Sequence, residues 1–308
     1  MIHILSVNIS EKKGTIKTPV SEIHLTFKGV EGDAHAGDWN RQVSLLGMES
    51  IDKFRKKSGK DIKCGEFAEN ITTKGLELWK VHPLDRFTSP EAELEVTQIG
   101  KKCHGPGCVI FNEVGDCIMP KEGIFCRVIR PGILKPGMEL DYIPKTYKIR
   151  VITLSDRASK GVYEDKSGPE LIRLINDFFS KNGLHCKTTL DLIPDDPGQL
   201  EKQVKDCKYD GTDILFTTGG TGIGPRDITP EVIRLLLDKE IPGIMEMIRI
   251  KYGSEKPQVL LSRSIAGTIG STIVFTLPGS MKAVGEYFEE ISKNLIHAIY
   301  MIHSLDNH

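Results

Sequence analysis

From Lys148 onwards, short apolar runs alternate with longer amphipathic segments, and this alternation constrains the fold more than any other feature of the chain. The predicted strands are KIRVITLS, CKTTLDLIP, DILFTT and STIVFTLPG. The predicted helices are GPELIRLINDFFSKNG, PGQLEKQVKDC, TPEVIRLLLDKE and KAVGEYFEEISKNLIHAIYMIH. Strands that alternate with helices of this length predict an α/β domain, in which a mostly parallel sheet is covered by helices on both faces.

The first half of the chain has a different pattern, in which short apolar stretches are separated by turn residues. These stretches are IHILSVNIS, EIHLTF, QVSLLG, LEVTQIG, GIFCRVI and MELDYI, and one helix, Gly47 to Lys57, interrupts them. Many short strands with few helices predict a β-rich, barrel-like domain or a compact sandwich. The pattern changes at Pro144 to Thr146, the predicted linker, so we expect two domains, residues 1–145 and 146–308.

Composition limits the classes of partner. A formal net charge of -1 does not favour nucleic acid or an anionic membrane, because proteins that bind these usually carry a basic excess. No apolar run approaches the ~20 residues of a membrane span, and the N-terminal residues do not resemble a secretion signal. The chain has seven cysteines, and an odd number in a chain of this length favours reduced thiols over disulfides. We therefore expect a cytoplasmic protein that acts on a small ligand.

Three of the predicted strands end in loops of unusual composition: VITLSDRASKG, LFTTGGTGIGPRD and FTLPGS. Since parallel strands bring their carboxyl ends to one edge of a sheet, we expect these loops to converge there. Glycines let backbone N–H groups approach an anion closely, and hydroxyl and guanidinium groups can bind it. The edge is thus predicted to bind a phosphorylated ligand. The candidate binding residues are Ser155, Asp156, Arg157, Thr218, Gly219, Gly220, Thr221, Gly222, Arg226, Pro278, Gly279 and Ser280.

Asp227 follows the glycine loop directly, and this position suggests catalysis. A carboxylate beside a phosphate site repels the ligand unless a divalent cation lies between them, so Mg²⁺ is predicted. Asp195 and Asp196 follow another strand end and could supply further oxygen ligands, although one of the two is expected to be a helix N-cap. Helix capping is also the alternative for Asp227. Its place next to the glycines favours the functional interpretation.

Residues 148 to about 305 resemble the MoaB/Mog family of molybdopterin adenylyltransferases. The matching segments, in chain order, are LSDRAS, GVYEDKSG, LIPDD, TTGGTGIGPRDITPE, IPGIMEMIR, LSRSIAG and LPGS. The resemblance implies an enzyme that transfers AMP from Mg-ATP to the terminal phosphate of molybdopterin, releases pyrophosphate and forms a homotrimer. It implies that Asp227 and Asp195 are the catalytic, Mg²⁺-binding residues.

Within this resemblance, Arg157 and Arg226 are candidates for charge neutralisation, and Ser280 is a candidate for holding the pterin phosphate. Glu246 and Arg249, on a predicted helix, are better explained as solvated surface residues. A carrier that binds molybdopterin or molybdenum cofactor without turnover is the alternative function.

The first half resembles the MOSC domain. The matching segments are GVEGDAHAG, RQVSLL, GEFAENITT, QIGKKCH, GDCIMPKEGIFCRV and PGMEL. The resemblance implies a domain that binds molybdenum cofactor or carries sulfur or metal through a cysteine, with Cys108 at the matching position and Cys103 as the next candidate. Lys28, Arg41 and Lys121 are either contacts for a pterin phosphate or ordinary solvated cations. Together, the two resemblances imply a bifunctional enzyme that works with other cofactor-assembly proteins.

A zinc-stabilised interaction module is a third hypothesis for the first half. Four residues separate Cys103 from Cys108, and eight residues separate each of the next two pairs, so the spacing does not match the two-residue knuckles of structural zinc sites. Cys117 and Cys126 lie in apolar, strand-like surroundings and are expected to be buried, inert thiols. The zinc hypothesis is therefore the weakest of the three.

Overall fold

The computed structural model describes residues 1–102 and 117–305. The chain forms two compact units, one comprising Met1–Lys145 with Leu305, the other Thr146–Ser304. The described helices include none that is both long and apolar enough to cross a membrane.

The first unit consists mainly of short strands. They are β1 (Ile2–Ile9), β2 (Thr18–Val20), β3 (Ile23–Thr26), β4 (Gly29–Val30), β5 (Val43–Gly47), β6 (Ile71–Lys74), β7 (Arg86–Thr88), β8 (Glu93–Ile99), β9 (Ile124–Arg130), β10 (Gly132–Leu134) and β11 (Glu139–Ile143). The helices described in this unit are α1 (Met48–Ser58), α2 (Met119–Glu122) and the 3-10 turn Leu78–Lys80. The six predicted strands and the predicted helix are all confirmed, with ends that differ by one or two residues.

Seven of these strands close into a barrel, which confirms the barrel-like alternative. The order around the ring is β1, β11, β7, β8, β9, β5, β6 and back to β1, with β2 paired to the outer part of β1. Only the β5–β6 pair in this ring is parallel. Ile4, Val43, Leu45, Ile71 and Val96 fill the interior and are at most 1% exposed. Closure removes the free edges that an open sheet would leave.

The second unit alternates strands and helices. The strands are β12 (Thr146–Leu154), β13 (His185–Ile193), β14 (Ile214–Thr218), β15 (Lys239–Glu240), β16 (Ala266–Ile269) and β17 (Thr272–Leu277). The helices are α3 (Asp156–Ser159), α4 (Ser167–Lys181), α5 (Pro197–Cys207), α6 (Thr229–Arg234), α7 (Pro242–Gly253) and α8 (Met281–Ile302), with a 3-10 segment at Pro257–Leu261.

The sheet of this unit runs in the order β13, β12, β14, β17, β16, β15. The first four strands are parallel, with Val151 beside Phe216 and Phe216 beside Phe275, whereas β16 and β15 are antiparallel. One face packs against α5 and α6 through Leu200 and Ile233, and the other packs against α4 and α8. The predicted mostly parallel, doubly covered sheet is thus correct for four strands and wrong for the antiparallel edge.

Two predicted boundaries need correction. The helix that begins at Thr229 was predicted to reach Glu240, but α6 ends at Arg234. The following Leu235 is 87% exposed, and the chain leaves the helix because Lys239–Glu240 pairs with β16. At the predicted linker, Thr146 already belongs to β12, so only Pro144 and Lys145 lie between strands.

Candidate functional site

The three strand-end loops meet at Gly219. Its N–H donates to the carbonyl of Leu277, at the end of β17, over 2.9 Å. A Cβ at Gly219 would lie 2.3 Å from the carbonyl oxygen of Leu154, at the end of β12, and a Cβ at Gly279 would lie 3.3 Å from the Cα of Gly219. Gly219 also has a φ of 102°, a conformation that favours glycine. The backbones of the loops therefore touch, and only glycine fits at position 219.

Two buried threonines fasten this junction. The hydroxyl of Thr218 donates to the carbonyl of Pro278 over 3.0 Å, which ties the second loop to the third. Thr229 donates through its hydroxyl to the carbonyl of Gly219 over 2.9 Å and through its N–H to that of Gly220 over 3.0 Å. Thr218 was predicted to donate its hydroxyl to a ligand, but in the structure that hydroxyl is used by the fold.

The Asp227 carboxylate lies against the glycine loop. Its Oδ2 accepts the N–H of Gly224 over 2.7 Å, and a Cβ at Gly222 would lie 2.7 Å from the same atom. The residue before α6 is Ile228, and no side chain caps this helix. Capping is therefore not the role of Asp227, and its side chain lines a cavity beside the loop.

Asp195 and Asp156 bind each other reciprocally. The N–H of Asp156 donates to Oδ2 of Asp195 over 3.0 Å, and the N–H of Asp195 donates to Oδ1 of Asp156 over 3.2 Å. Arg226 donates to both oxygens of Asp156 over 2.9 Å each. The neighbouring Asp196 caps α5 by accepting the N–H of Gln199 over 2.8 Å, which confirms that one residue of this pair is an N-cap.

The two linked carboxylates differ in electrostatic environment. Burial, together with the charges of Asp156 and Asp227, raises the pKa of Asp195 above its usual value. Hydrogen bonds from Arg226 lower the pKa of Asp156. Asp156 is therefore held as an ion by its cation, while the charge of Asp195 is poorly compensated. A cation bound near Asp195 would relieve this imbalance.

The donor set fits Mg²⁺, which proteins usually bind through one or two carboxylates while phosphate and water supply the other ligands. Asp195 and Asp227 both lie beside the glycine loop, where Oδ1 of Asp195 is 3.5 Å from the position of a Cβ at Gly220. Among the described residues, no group of three or more His, Cys, Asp or Glu side chains is arranged to hold a metal ion. A cation here would thus need ligands from its substrate.

Two cavities flank the third loop. One, of about 550 Å³, is bordered by the glycine loop and the 3-10 segment. The other, of about 490 Å³, is bordered by the end of β12 and the start of α4. Gly279 lines both. The edge of the sheet thus offers two adjoining spaces that share one loop as a wall.

The serines of the first and third loops lie at helix N-termini. Ser155 accepts the N–H of Ala158 over 3.2 Å and shares a 2.8 Å hydrogen bond with the hydroxyl of Tyr163. Ser280 caps α8 by accepting the N–H of Ala283 over 3.3 Å. The guanidinium carbon of Arg157 lies 5.1 Å from the centre of the Tyr163 ring. All three loops therefore carry predicted residues to the same edge.

Comparisons with known proteins identify the family of each half of the chain. A family model described as "Probable molybdopterin binding domain" matches residues 150–298, and the "MOSC domain" model matches residues 32–141. The molybdopterin adenylyltransferase of Pyrococcus furiosus is 40% identical over 161 residues, which are 51% of this chain and 91% of that protein. This chain belongs to the MoaB/Mog family and carries an N-terminal MOSC domain.

Longer relatives share the MoaB/Mog domain. Gephyrin of Dictyostelium discoideum is 36% identical over 162 residues, 51% of this chain and 22% of that protein. The molybdenum cofactor synthesis protein cinnamon of Drosophila melanogaster is 35% identical over 153 residues, 49% of this chain and 25% of that protein. The chain therefore spans only about a quarter or less of these two relatives.

Arg263, which is not among the predicted site residues, contacts the glycine loop. Its guanidinium donates to the carbonyls of Gly222 and Asp227 and pairs with Glu231. Arg263 is 36 residues from Asp227 in the chain, so its contacts with the glycine loop could not be read from the sequence. The available signal was its place in LSRSIAG, one of the segments that resemble the family.

In the MOSC domain, Cys108 and Cys103 lie outside the described residues. Lys28 pairs with Asp38 at 3.2 Å on the surface, and the guanidinium carbon of Arg41 lies 4.9 Å from the centre of the Trp39 ring. Lys121 belongs to α2.

The other two cysteines that were predicted to be inert lie within the described part of the MOSC domain. Cys126 is buried, which raises the pKa of its thiol, as expected for an inert cysteine. Cys117 is partly buried against an apolar cluster.

Proposed function

We propose that the second unit is a molybdopterin adenylyltransferase that acts in molybdenum cofactor biosynthesis. The observation that carries the proposal is that the carboxylates of Asp195 and Asp227 lie against a glycine loop and Asp227 borders a cavity. A phosphate-binding loop with acidic residues suits a reaction of Mg-ATP. The 91% coverage of the P. furiosus adenylyltransferase supports the same activity.

In this reaction an oxygen of the terminal phosphate of molybdopterin attacks the α-phosphorus of ATP. The new P–O bond forms as the bond from the α-phosphorus to the bridging oxygen breaks, and pyrophosphate leaves with that electron pair. Because the attacking phosphate is already anionic, the protein needs no covalent nucleophile. Its residues mainly position two anions and balance their charge.

Each residue of the site has a proposed part in that task. Gly219, Gly220 and Gly222 would let the backbone of the loop approach the phosphates closely. Asp195 and Asp227 would hold Mg²⁺, which when bound neutralises phosphate charge. Arg226 is bound to Asp156 and would exchange that partner for the ligand. The remaining predicted contacts, Ser155, Arg157, Thr221, Pro278, Gly279 and Ser280, would bind nucleotide or pterin.

The carrier hypothesis accounts for the cavity but not for the carboxylates. Two carboxylates next to a bound phosphate oppose binding unless a cation is present. A carrier would bind its ligand more tightly without them. The acidic residues therefore favour transfer over storage.

We further propose that residues 1–145 and 146–308 are the two functional domains. The MOSC domain would bind molybdenum cofactor or carry sulfur or metal on Cys108 or Cys103, and the second domain would assemble into a homotrimer. The enzyme would work in the cytoplasm with other cofactor-assembly proteins. These proposals rest on the family resemblance.

The test is incubation of the purified protein with molybdopterin and Mg-ATP. The expected products are pyrophosphate and a pterin whose mass has increased by one AMP, both abolished by EDTA. Tight pterin binding without either product would replace the transferase by the carrier. Metal analysis after purification without chelator tests the zinc hypothesis, because a zinc-stabilised MOSC domain would retain stoichiometric zinc.

A further inference from the structure

The glycine loop between β14 and α6 sets the position of Asp227, yet its composition gives it little stiffness of its own. It contains four glycines, at positions 219, 220, 222 and 224. Glycine has the largest conformational freedom of any residue, so ordering such a loop costs more entropy than ordering other sequences. Something outside the loop must hold it if Asp227 is to keep one place.

Arg263 makes the contacts that could do this. Its Nε donates to the carbonyl of Gly222 over 2.6 Å, and its Nη2 donates to the carbonyl of Asp227 over 2.8 Å. Its remaining terminal nitrogen pairs with Glu231, in α6. Its backbone N–H donates to the carbonyl of Thr221 over 2.9 Å. Arg263 therefore binds the loop at Thr221 and Gly222 and at Asp227, and it also binds the helix that follows.

Arg263 also connects the loop to the opposite wall of the larger cavity. It follows the 3-10 segment Pro257–Leu261 and Ser262, which line that cavity. Ser262 accepts the hydroxyl of Tyr287, in α8, over 2.9 Å. The loop, the wall and α8 are thus linked through consecutive residues.

We propose that Arg263 is a positioning residue for the transfer reaction, which holds the glycine loop so that Asp227 stays at the cavity. The proposal rests on the proposed role of Asp227 in binding Mg²⁺. A planar, forked guanidinium can donate to two carbonyls and a carboxylate at once, whereas the single ammonium of lysine cannot reproduce that geometry. The function of Arg263 is therefore geometric and not merely a matter of its positive charge.

The test compares Arg263→Lys with Arg234→Lys as a matched control. Arg234 is an exposed arginine of α6 that pairs with Glu240 at 3.2 Å. In Arg263→Lys, the Mg²⁺ concentration for half-maximal adenylylation should rise about tenfold, equal to about 1.4 kcal/mol, and kcat should fall. Arg234→Lys should match the wild type in both. A purely structural residue would reduce the amount of active enzyme without changing its Mg²⁺ dependence.

Amide hydrogen exchange gives a readout that does not depend on activity. Exchange in residues 219–227 should become roughly tenfold faster in Arg263→Lys, while β17 exchanges as in the wild type. If the wild type shows no adenylylation, the proposed function fails, but the exchange experiment still tests whether Arg263 holds the loop. If Arg263→Lys fails to fold, Arg263→Gln is measured in the same way. Unchanged loop exchange, or unchanged Mg²⁺ dependence in an active variant, would overturn the proposal.

Discussion

The two units use buried and partly buried charges in opposite ways. In the MOSC domain, Lys17 and Asp33 form an ion pair with 2.5 Å between Nζ and Oδ2, and their side chains are 1% and 0% exposed. In the MoaB/Mog domain, Arg226 pairs with Asp156, and those side chains are 65% and 28% exposed. The first pair is sealed within the protein, whereas the second can exchange partners.

The buried pair is stable because the carboxylate of Asp33 accepts several hydrogen bonds within the protein. Oδ2 of Asp33 accepts not only from Lys17 but also from the N–H of Ser10 over 3.1 Å and the amide of Asn70 over 3.0 Å. Its Oδ1 accepts the N–H of His35 over 2.9 Å. Burial alone would raise the pKa of Asp33, but the bonds from His35 and Lys17 and the charge of Lys17 lower it below the usual range.

A carboxylate with so many internal partners has little capacity left for a ligand. Asp195, by contrast, has the raised pKa of a group whose charge is poorly compensated. The comparison teaches that burial and charge alone do not distinguish a structural carboxylate from a functional one. Asp33 and Asp195 differ in how fully contacts within the protein compensate the charge of the carboxylate.

The largest effect is expected from breaking the buried pair with Lys17→Met. The change fills similar volume but leaves the Asp33 carboxylate buried without its cation, which should lower the free energy of unfolding of the MOSC domain by ~3–5 kcal/mol. Both tryptophans, Trp39 and Trp79, lie in this domain, so denaturant titration followed by their fluorescence reports on it alone. The control is Lys28→Met, which removes an exposed ion pair and should cost less than ~1 kcal/mol. Equal losses from the two variants would contradict the comparison.

The next effect is on catalysis. Asp227→Asn keeps the size of the side chain and an oxygen for the N–H of Gly224, but it removes the charge that would bind Mg²⁺. We expect the rate of adenylylation to fall by about 10²-fold or more, as when one transition-state-stabilising group is lost. Thermal unfolding should change little. A variant that kept full activity would show that Asp227 is not part of the catalytic site.

A smaller effect should separate Asp196 from its neighbour Asp195. Asp196→Ala removes the N-cap of α5 and should destabilise the MoaB/Mog domain by ~1 kcal/mol without changing kcat. Asp195→Asn should show the reverse, a loss of activity with little loss of stability. Thermal unfolding and initial rates of both variants make the comparison. Loss of activity in Asp196→Ala at full stability would show that these two roles were assigned wrongly.

The smallest effect concerns the pH dependence of Glu69, in the MOSC domain. Glu69 is fully buried, its Oε2 has no hydrogen-bond partner among residues 1–102 and 117–305, and burial raises its pKa. A raised pKa in the folded state contributes stability at low pH that is lost as pH rises through that pKa. Glu69→Gln removes this loss, so the variant should gain stability relative to the wild type between pH 5 and 8.

Asp33 does not complicate the Glu69 measurement. Its lowered pKa contributes stability that is lost only as pH falls below its ordinary value of ~3.9. Denaturant titrations of the wild type and Glu69→Gln at several pH values, again followed by tryptophan fluorescence, test the prediction. A difference in stability that stays constant from pH 5 to 8 would contradict it.

Much of the fold could be predicted because it depends on local pattern. The buried strands of the second unit, an N-cap at either Asp195 or Asp196 and the convergence of three loops all follow from periodicity, capping chemistry and the geometry of parallel sheets. The antiparallel edge could not be predicted, since Lys239–Glu240 is a strand only because β16 lies beside it. Tertiary pairing there overrides a helical pattern.

The site shows the same division between local and distant contacts. The glycines and Asp227 are adjacent in the chain and therefore form a recognisable motif. Arg263 and the partners of Asp33 act across the fold, and nothing in the sequence near Lys17 indicates that it pairs with Asp33, 16 residues later. Such contacts become visible only in three dimensions.

The central claim is that the glycine-loop edge of the sheet transfers AMP, and the most direct test follows the label of ATP. The purified protein is incubated with molybdopterin, Mg²⁺ and ATP labelled at either the α- or the γ-phosphate. The account predicts that the α-label appears in the pterin product and the γ-label in pyrophosphate. A protein that binds molybdopterin but leaves both labels in ATP, or that moves the γ-label to the pterin, would contradict it.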